Sequence, residues 1–193
     1  MRPTLTVLAL AGLALEAAHA PAAPPPDFAQ LMSLLAQRRH GHVRYTEVHE
    51  IAALRAPLTS TGELLYDAPA RLEKRTLTPR AETLVLDQGV LSARRGNRTH
   101  ELALADYPQA IPFVESIRAT LAGDAGALEH YFHVRFTGAL AHWSLELTPR
   151  DPTLAQTVTD VRLAGEGEAI RTVVINERDG DRSLISIGPE IEP

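Results

Sequence analysis

The chain has 193 residues, no cysteine and a formal net charge of −5 at pH 7. The lack of cysteine excludes disulfides, thiolate metal sites, a cysteine nucleophile and a lipid attached through an N-terminal cysteine. A mildly acidic chain is also a poor candidate for binding nucleic acid, which requires a basic surface.

Residues 1–20 have the pattern of a secretory signal peptide. Arg2 supplies a positive charge, an apolar run covers residues 5–15, and Ala18–Ala20 has the A-x-A form that signal peptidase accepts. The run is shorter than the roughly 20 apolar residues of a membrane-spanning helix, which disfavours an uncleaved anchor. We expect a mature chain that starts at Pro21 or Ala23 and is free in solution in the periplasm.

An alanine- and proline-rich tether over residues 21–26 precedes the first predicted helix. Asp27 is a suitable N-cap, and Gly41 is a suitable stop. Apolar residues repeat at i, i+3, i+4 and i+7 between them, at Phe28, Leu31, Met32 and Leu35. We expect residues 27–193 to form one domain.

From residue 42 the apolar period changes to two, which is typical of strands with one buried face. Turn signals separate the strands at Asp87–Gly89, at Gly96-Asn97 and at Asp179-Gly180. Ten short strands are predicted at residues 42–46, 62–67, 71–77, 82–86, 90–93, 133–136, 143–147, 158–163, 170–176 and 183–187, and a further short strand passes through Leu102 and Leu104.

A second helix interrupts the strands over residues 109–121, with Phe113, Val114, Ile117 and Leu121 on one stripe. A further helical turn passes through Leu128. The predicted fold class is mainly β (α+β), with a largely antiparallel sheet or barrel whose open side the helices could cover.

Motifs of catalysis are missing from the sequence. It contains no G-x-S-x-G, no H-E-x-x-H and no P-loop. The close histidine pairs at 40/42 and 130/133 have no evident further metal ligands, and His142 with Ser144 lacks a third member for a triad. We therefore expect no enzyme activity, no cofactor and no metal.

Apolar residues on alternating strand positions are the candidate binding residues. Leu, Ile, Val and Ala dominate the composition and aromatic residues are few, which suits an interior that shelters acyl chains. Core packing is the rival explanation for each candidate. The predicted cavity residues are Leu64, Tyr66, Leu72, Trp143 and Leu145 from strands, with Phe113 and Ile117 from the second helix.

The stretch Gly62–Leu72, G-E-L-L-Y-D-A-P-A-R-L, resembles a strand pair of the outer-membrane lipoprotein carrier (LolA-like) family, G-x-L-x-[aromatic]-x-x-P-x-R-[apolar]. Pro79 and a strand ending at Asp87–Gly89 follow, as in that family. The order of signal, leading helix and mid-chain helix also agrees, so the resemblance covers most of residues 27–187.

The resemblance implies an unclosed, strongly curved antiparallel half-barrel with helices covering the open side. It implies a monomeric carrier whose concave face shelters the acyl chains of a lipoprotein. The cargo would pass from an inner-membrane transporter to an outer-membrane acceptor. That acceptor is itself a lipoprotein with an N-terminal cysteine, so the cysteine-free chain resembles the carrier.

Two positions depart from the general carrier. Ala68 stands where the carrier has an arginine linked to opening and closing of the lid, and Leu72 stands where it has an aromatic residue. The resemblance therefore implies a weak latch, unless Arg71 substitutes for the arginine. Three alternatives stay open: a specialised carrier for a glycolipid or polyene-lipid exporter, a periplasmic protein-binding module, and a hydrolase of acyl esters.

Overall fold

The structure is a computed structural model that describes residues 26–106 and 111–191, apart from the side chains of Pro26, Pro112 and Phe113. The predicted signal peptide and nearly all of the predicted tether lie outside the described residues. So do residues 109 and 110, where the second predicted helix begins.

Eleven strands form one antiparallel sheet within the described part of the chain. Most of them are longer than the alternating pattern predicted, because paired backbone extends past the last apolar residue. They are β1 (His40–Glu50), β2 (Leu58–Asp67), β3 (Arg71–Thr78), β4 (Glu82–Asp87), β5 (Val90–Arg95), β6 (Arg98–Ala103), β7 (Phe132–Ala139), β8 (His142–Pro149), β9 (Val158–Glu166), β10 (Ala169–Glu177) and β11 (Arg182–Glu190).

The sheet is unclosed. Its strand order is β6-β5-β4-β3-β2-β1-β11-β10-β9-β8-β7, so β6 and β7 are the two edges and do not pair with each other. Every neighbouring pair is antiparallel. The predicted fold class, a mainly β, unclosed, curved antiparallel sheet with helices, is confirmed.

Three α-helices accompany the sheet over residues 26–106 and 111–191: α1 (Pro26–Leu35), α2 (Ile111–Leu121) and α3 (Ala125–Tyr131). The predicted apolar face of α1 is confirmed, since its four residues are at most 3% exposed. Gly123 joins α2 to α3 with φ of +65°, and a Cβ there would lie 2.1 Å from the Met32 carbonyl oxygen. Glycine therefore permits both the turn and the close approach of α1.

One half of the concave sheet face is covered by a packed core. Strands β7–β9 contribute Phe132, Leu145, Leu147, Val161 and Leu163, which are all at most 1% exposed. The apolar faces of α1 and α3 pack onto them. Each such side chain contributes about 1.5–3 kcal/mol of burial energy, so this part of the sheet contributes strongly to the stability of the fold.

The convex face carries charged side chains on β7, β8 and β9. Arg135 and Arg162 flank Glu146, and Arg162 also pairs with Asp160, which makes a charged row across β7, β8 and β9. Among the described residues, no helix is long and apolar enough to cross a membrane.

Candidate functional site

A cavity of about 430 Å³ lies between the concave sheet face and helix α2. Its volume is within the range of roughly 300–1,000 Å³ that small-molecule sites occupy. The walls are mainly aliphatic. The sheet contributes Val43, Leu64, Leu72, Leu84, Leu86, Leu91, Leu163, Ile170, Val173, Ile185 and Ile187, and α2 contributes Val114, Ile117 and Leu121.

Strand register explains why these side chains share one surface. Val43 on β1 lies opposite Leu64 on β2, and Leu72 on β3 lies opposite both Tyr66 and Leu86. Since alternate residues of a strand project to the same face, each strand adds one apolar row. On α2 the spacing of residues 114, 117 and 121 forms the matching stripe.

Charged residues stand at one end of the cavity. Arg38, Glu168, Arg171 and Glu190 line it there, and they come from the end of the α1 segment, the β9–β10 turn, β10 and the end of β11. The Arg38 Nη2 atom donates to the Glu168 carbonyl oxygen at 3.1 Å. We refer to these four residues as the rim.

Tyr66 lies near the rim and is 5% exposed. Its hydroxyl donates to the Pro69 carbonyl oxygen at 3.5 Å, a weak bond. Burial raises the pKa of Tyr66, although the charges of Arg118, Arg39 and Arg38 oppose the shift. The phenol is therefore neutral at pH 7 and adds little charge to the cavity.

A polar cluster interrupts the apolar wall further along the strands. Lys74 lines the cavity, and its Nζ donates to Glu47 Oε2 at 2.6 Å. Ser60 and Ser183 also donate to Glu47, at 3.2 and 2.7 Å. Burial raises the pKa of Glu47, but these hydrogen bonds and the Lys74 charge outweigh it, so the pKa is lower than usual. Glu47 is ionised.

The structure brings together four of the residues predicted to line a cavity: Leu64, Tyr66, Leu72 and Ile117. The side chain of Phe113 lies outside what is described, although its backbone belongs to α2. Leu72, where the general carrier has an aromatic residue, points into the cavity.

Trp143 and Leu145 lie in the packed core instead of the cavity wall. They are 3% and 0% exposed, and the Trp143 Nε1 donates to the Gly167 carbonyl oxygen at 2.8 Å. They do share the concave face, as their alternation predicted, but α1 and α3 cover that half of the sheet. The alternating pattern identifies the face and says nothing about what covers it.

Within the described part of the chain, neither Ala68 nor Arg71, the two predicted gating residues, forms a side-chain hydrogen bond or ion pair with α2. The Ala68 amide donates to the Arg39 carbonyl oxygen at 2.8 Å, which ties the β2–β3 turn to the segment after α1. Arg71 forms ion pairs of 3.1 Å with Glu73 and with Asp87 on the convex face. Because Arg71 and Leu72 point to opposite faces, Arg71 does not substitute for a latch beneath α2.

Lys74 is the residue that sequence reasoning missed. The period of two places Lys74 on the same face as Leu72, so the strand pattern already indicated that it faces the cavity.

The exposed His142 lies 3.4 Å from Glu166 Oε1. Within residues 26–106 and 111–191, no group of three or more His, Asp or Glu side chains is placed to hold a metal ion.

A family model described as outer membrane lipoprotein carrier protein LolA-like matches residues 18–188, which is most of the chain. The chain belongs to this LolA-like family. Among curated proteins, none matches the sequence.

Solved structures similar to this LolA-like chain are distant in sequence. A LolA superfamily protein from Nitrosomonas europaea is 9% identical, with a TM-score of 0.47, and 85% of this chain and 93% of that chain are covered. Mycobacterium tuberculosis lipoprotein LppX is 7% identical, with a TM-score of 0.46, and 87% of this chain and 97% of that chain are covered. A chain of the Pseudomonas aeruginosa MucA/MucB complex is 18% identical, with a TM-score of 0.46, and 86% of this chain and 59% of that chain are covered. The family assignment rests on the family model.

Proposed function

We propose that this LolA-like protein is a carrier that shelters the acyl chains of a lipoprotein or lipid in its cavity. The observation that carries the proposal is the aliphatic cavity between the concave face and α2. Acyl chains are long, flexible and apolar, and they require a dry surface of this kind during transfer between membranes. Membership of the lipoprotein carrier family supports the same function.

The proposed route runs through the periplasm, from an inner-membrane transporter to an outer-membrane acceptor. The signal-peptide pattern of residues 1–20 supports export. The protein acts by binding and releasing its cargo, and this function makes and breaks no covalent bond. We propose that it works as a monomer, since one chain provides both the sheet and the covering helix.

Release requires that α2 be held loosely, and the proposed lid is this helix. Its main packing partners are α3 and, to a smaller extent, α1, while its apolar stripe faces the cavity. The β2–β3 turn has Ala68 where the general carrier has an arginine, and Arg71 is engaged on the convex face. A weak latch favours fast exchange of cargo and a specialised role, such as carrying a glycolipid or polyene lipid.

Binding of a fluorescent fatty-acid probe to the purified protein tests the proposal. We expect saturable binding, and we expect acyl ligands to raise the melting temperature. A ligand at a hundred times its Kd adds about 2.7 kcal/mol to the free energy of unfolding. Mass spectrometry of organic extracts from the periplasmically purified protein would identify the class of cargo.

Two variants provide the matched comparison. Leu64→Asp places a carboxylate in the cavity wall and should abolish probe binding. Leu77→Asp introduces the same group at a position that is 58% exposed, and it should leave binding unchanged. Failure of every acyl ligand to bind or to stabilise the wild type would overturn the carrier function and favour a protein-binding module. Hydrolysis of an acyl ester that His142→Ala abolishes would identify an enzyme.

A further inference from the structure

Lys74 is the single lysine of the chain, and it lies in the apolar wall of the cavity. On the neighbouring strands its register partners are Leu64 and Leu84, which both line the same cavity. An ammonium group loses hydration at such a position and requires partners that replace water. A lysine in an apolar cavity wall therefore points to a role in binding.

The position of the ammonium group is well defined by its surroundings. The Nζ atom lies 2.6 Å from Glu47 Oε2 and 5.2 Å from the centre of the Tyr45 ring. Gly62, which pairs with Tyr45, contributes no side chain between Lys74 and Glu47. Ser60 donates to the same Oε2 atom and Ser183 donates to Oε1, so the carboxylate is fixed at both oxygens and orients the lysine.

Hydrogen-bonding capacity remains on the lysine. An ammonium group has three donors, and Glu47 is the acceptor that Lys74 uses within the described part of the chain. The remaining donors can serve an oxygen atom of a molecule in the cavity. The Lys74–Glu47 pair is neutral as a whole, so a second carboxylate would bring an uncompensated negative charge into an apolar space. A neutral carbonyl oxygen brings none.

We propose that Lys74 is a specificity-determining residue that donates a hydrogen bond to the ester or amide carbonyl of a bound acyl group. Glu47 positions the ammonium group and makes the cavity prefer acyl esters and amides over free fatty acids. This inference rests on the proposed carrier function and deepens it, since it names the chemical class of the cargo.

Competition binding with three ligands of equal chain length tests the inference: methyl palmitate, palmitate and hexadecane. Wild type should prefer methyl palmitate to palmitate. Lys74→Met should weaken methyl palmitate binding by about tenfold, the effect of losing one hydrogen bond to a charged group, and should leave hexadecane binding unchanged. Glu47→Gln leaves the ammonium charge uncompensated, so it should reverse the preference in favour of palmitate.

Arg135→Met is the matched control, because it removes a cation from the convex face, where the side chain is 74% exposed and lies outside the cavity. We expect it to keep the wild-type preference. The inference is wrong if Lys74→Met leaves the ratio of methyl palmitate to hexadecane affinity unchanged, or if Arg135→Met alone removes the preference. Hexadecane reports whether each variant is folded. If Lys74→Met fails to bind hexadecane, the Glu47→Gln variant tests the inference instead. If that variant still prefers methyl palmitate to palmitate, the inference is overturned.

The same experiment separates this inference from the carrier function. If wild type binds none of the three ligands, the carrier function itself fails. If wild type binds all three with equal affinity, the carrier function stands and the specificity of Lys74 is disproved.

Discussion

Glu47 illustrates how a single side chain on the concave face depends on its neighbours in space. It is on β1, and its donors come from β3, β2 and β11. Together they overcome the effect of burial and lower the pKa of the carboxyl group. The cluster thus ties four strands together beside the cavity, and its contribution depends on the charge of Glu47.

We predict that this contribution disappears in acid. Because the folded-state pKa is lowered, ionised Glu47 stabilises the fold above the unfolded-state pKa of about 4.3. The stabilisation is lost as the pH falls through the lower folded-state value. Glu47→Gln should therefore cost about 1–2 kcal/mol at neutral pH and less at an acidic pH below the unfolded-state pKa. Urea unfolding at several pH values measures the difference.

Glu101 on β6 provides the comparison, since it is an exposed carboxylate. Glu101→Gln should change the free energy of unfolding by less than about 0.5 kcal/mol at either pH. A cost of Glu47→Gln that stays constant with pH would show that the charge of Glu47 does not stabilise the fold.

At the scale of elements, α2 has two different faces. Ser116, Ala119 and Thr120 are fully buried, whereas the stripe of Val114, Ile117 and Leu121 faces the cavity. The buried face consists of small residues, which allow close packing against neighbouring elements. The stripe has larger aliphatic side chains that are only partly buried, so cargo can complete their burial.

We predict that Ile117 retains cargo. Ile117→Asp should weaken acyl binding by at least tenfold, because a carboxylate in this cavity loses hydration without gaining a partner. Ile117→Val removes one methylene, so it should weaken binding by no more than about fourfold. Transfer of a labelled acyl cargo to acceptor vesicles measures both. Equal retention by Ile117→Asp and wild type would mean that α2 does not cover the cargo.

At the scale of the whole molecule, one continuous concave face serves two purposes. Its β7–β10 half is closed by α1 and α3 and forms the core. Its other half, from β1 to β5, forms the cavity wall with α2, and apolar residues of β9–β11 such as Leu163, Val173 and Ile187 belong to both the core and the wall. Stability and binding thereby depend mainly on different parts of one sheet, and similar leucines serve different functions in the two parts.

A pair of identical substitutions tests this division. Leu145→Ala should cost about 2–5 kcal/mol of stability, because the side chain is fully buried in the core. Leu72→Ala should cost less than about 1.5 kcal/mol, since Leu72 is half-buried against an open cavity. Its main effect should be weaker acyl binding. Chemical denaturation and probe binding measure the two effects, and equal losses of stability would contradict the division.

The sequence by itself determined the local structure and the family. Period-two alternation predicted the strands, the spacing of Phe28, Leu31, Met32 and Leu35 predicted the buried face of α1, and Gly62–Leu72 carried the family resemblance. Such features depend on neighbours within a few residues, so a linear pattern records them.

Tertiary structure alone decided which apolar residues are core and which line the cavity. Trp143, Leu145, Leu64 and Leu72 follow the same alternation, yet α1 and α3 cover the first two, and the last two line the open half. The pairing of Lys74 with Glu47 likewise depends on strand register, because the two residues are 27 positions apart. Coverage and register arise from contacts between distant segments, and alternation within one strand carries no information about them.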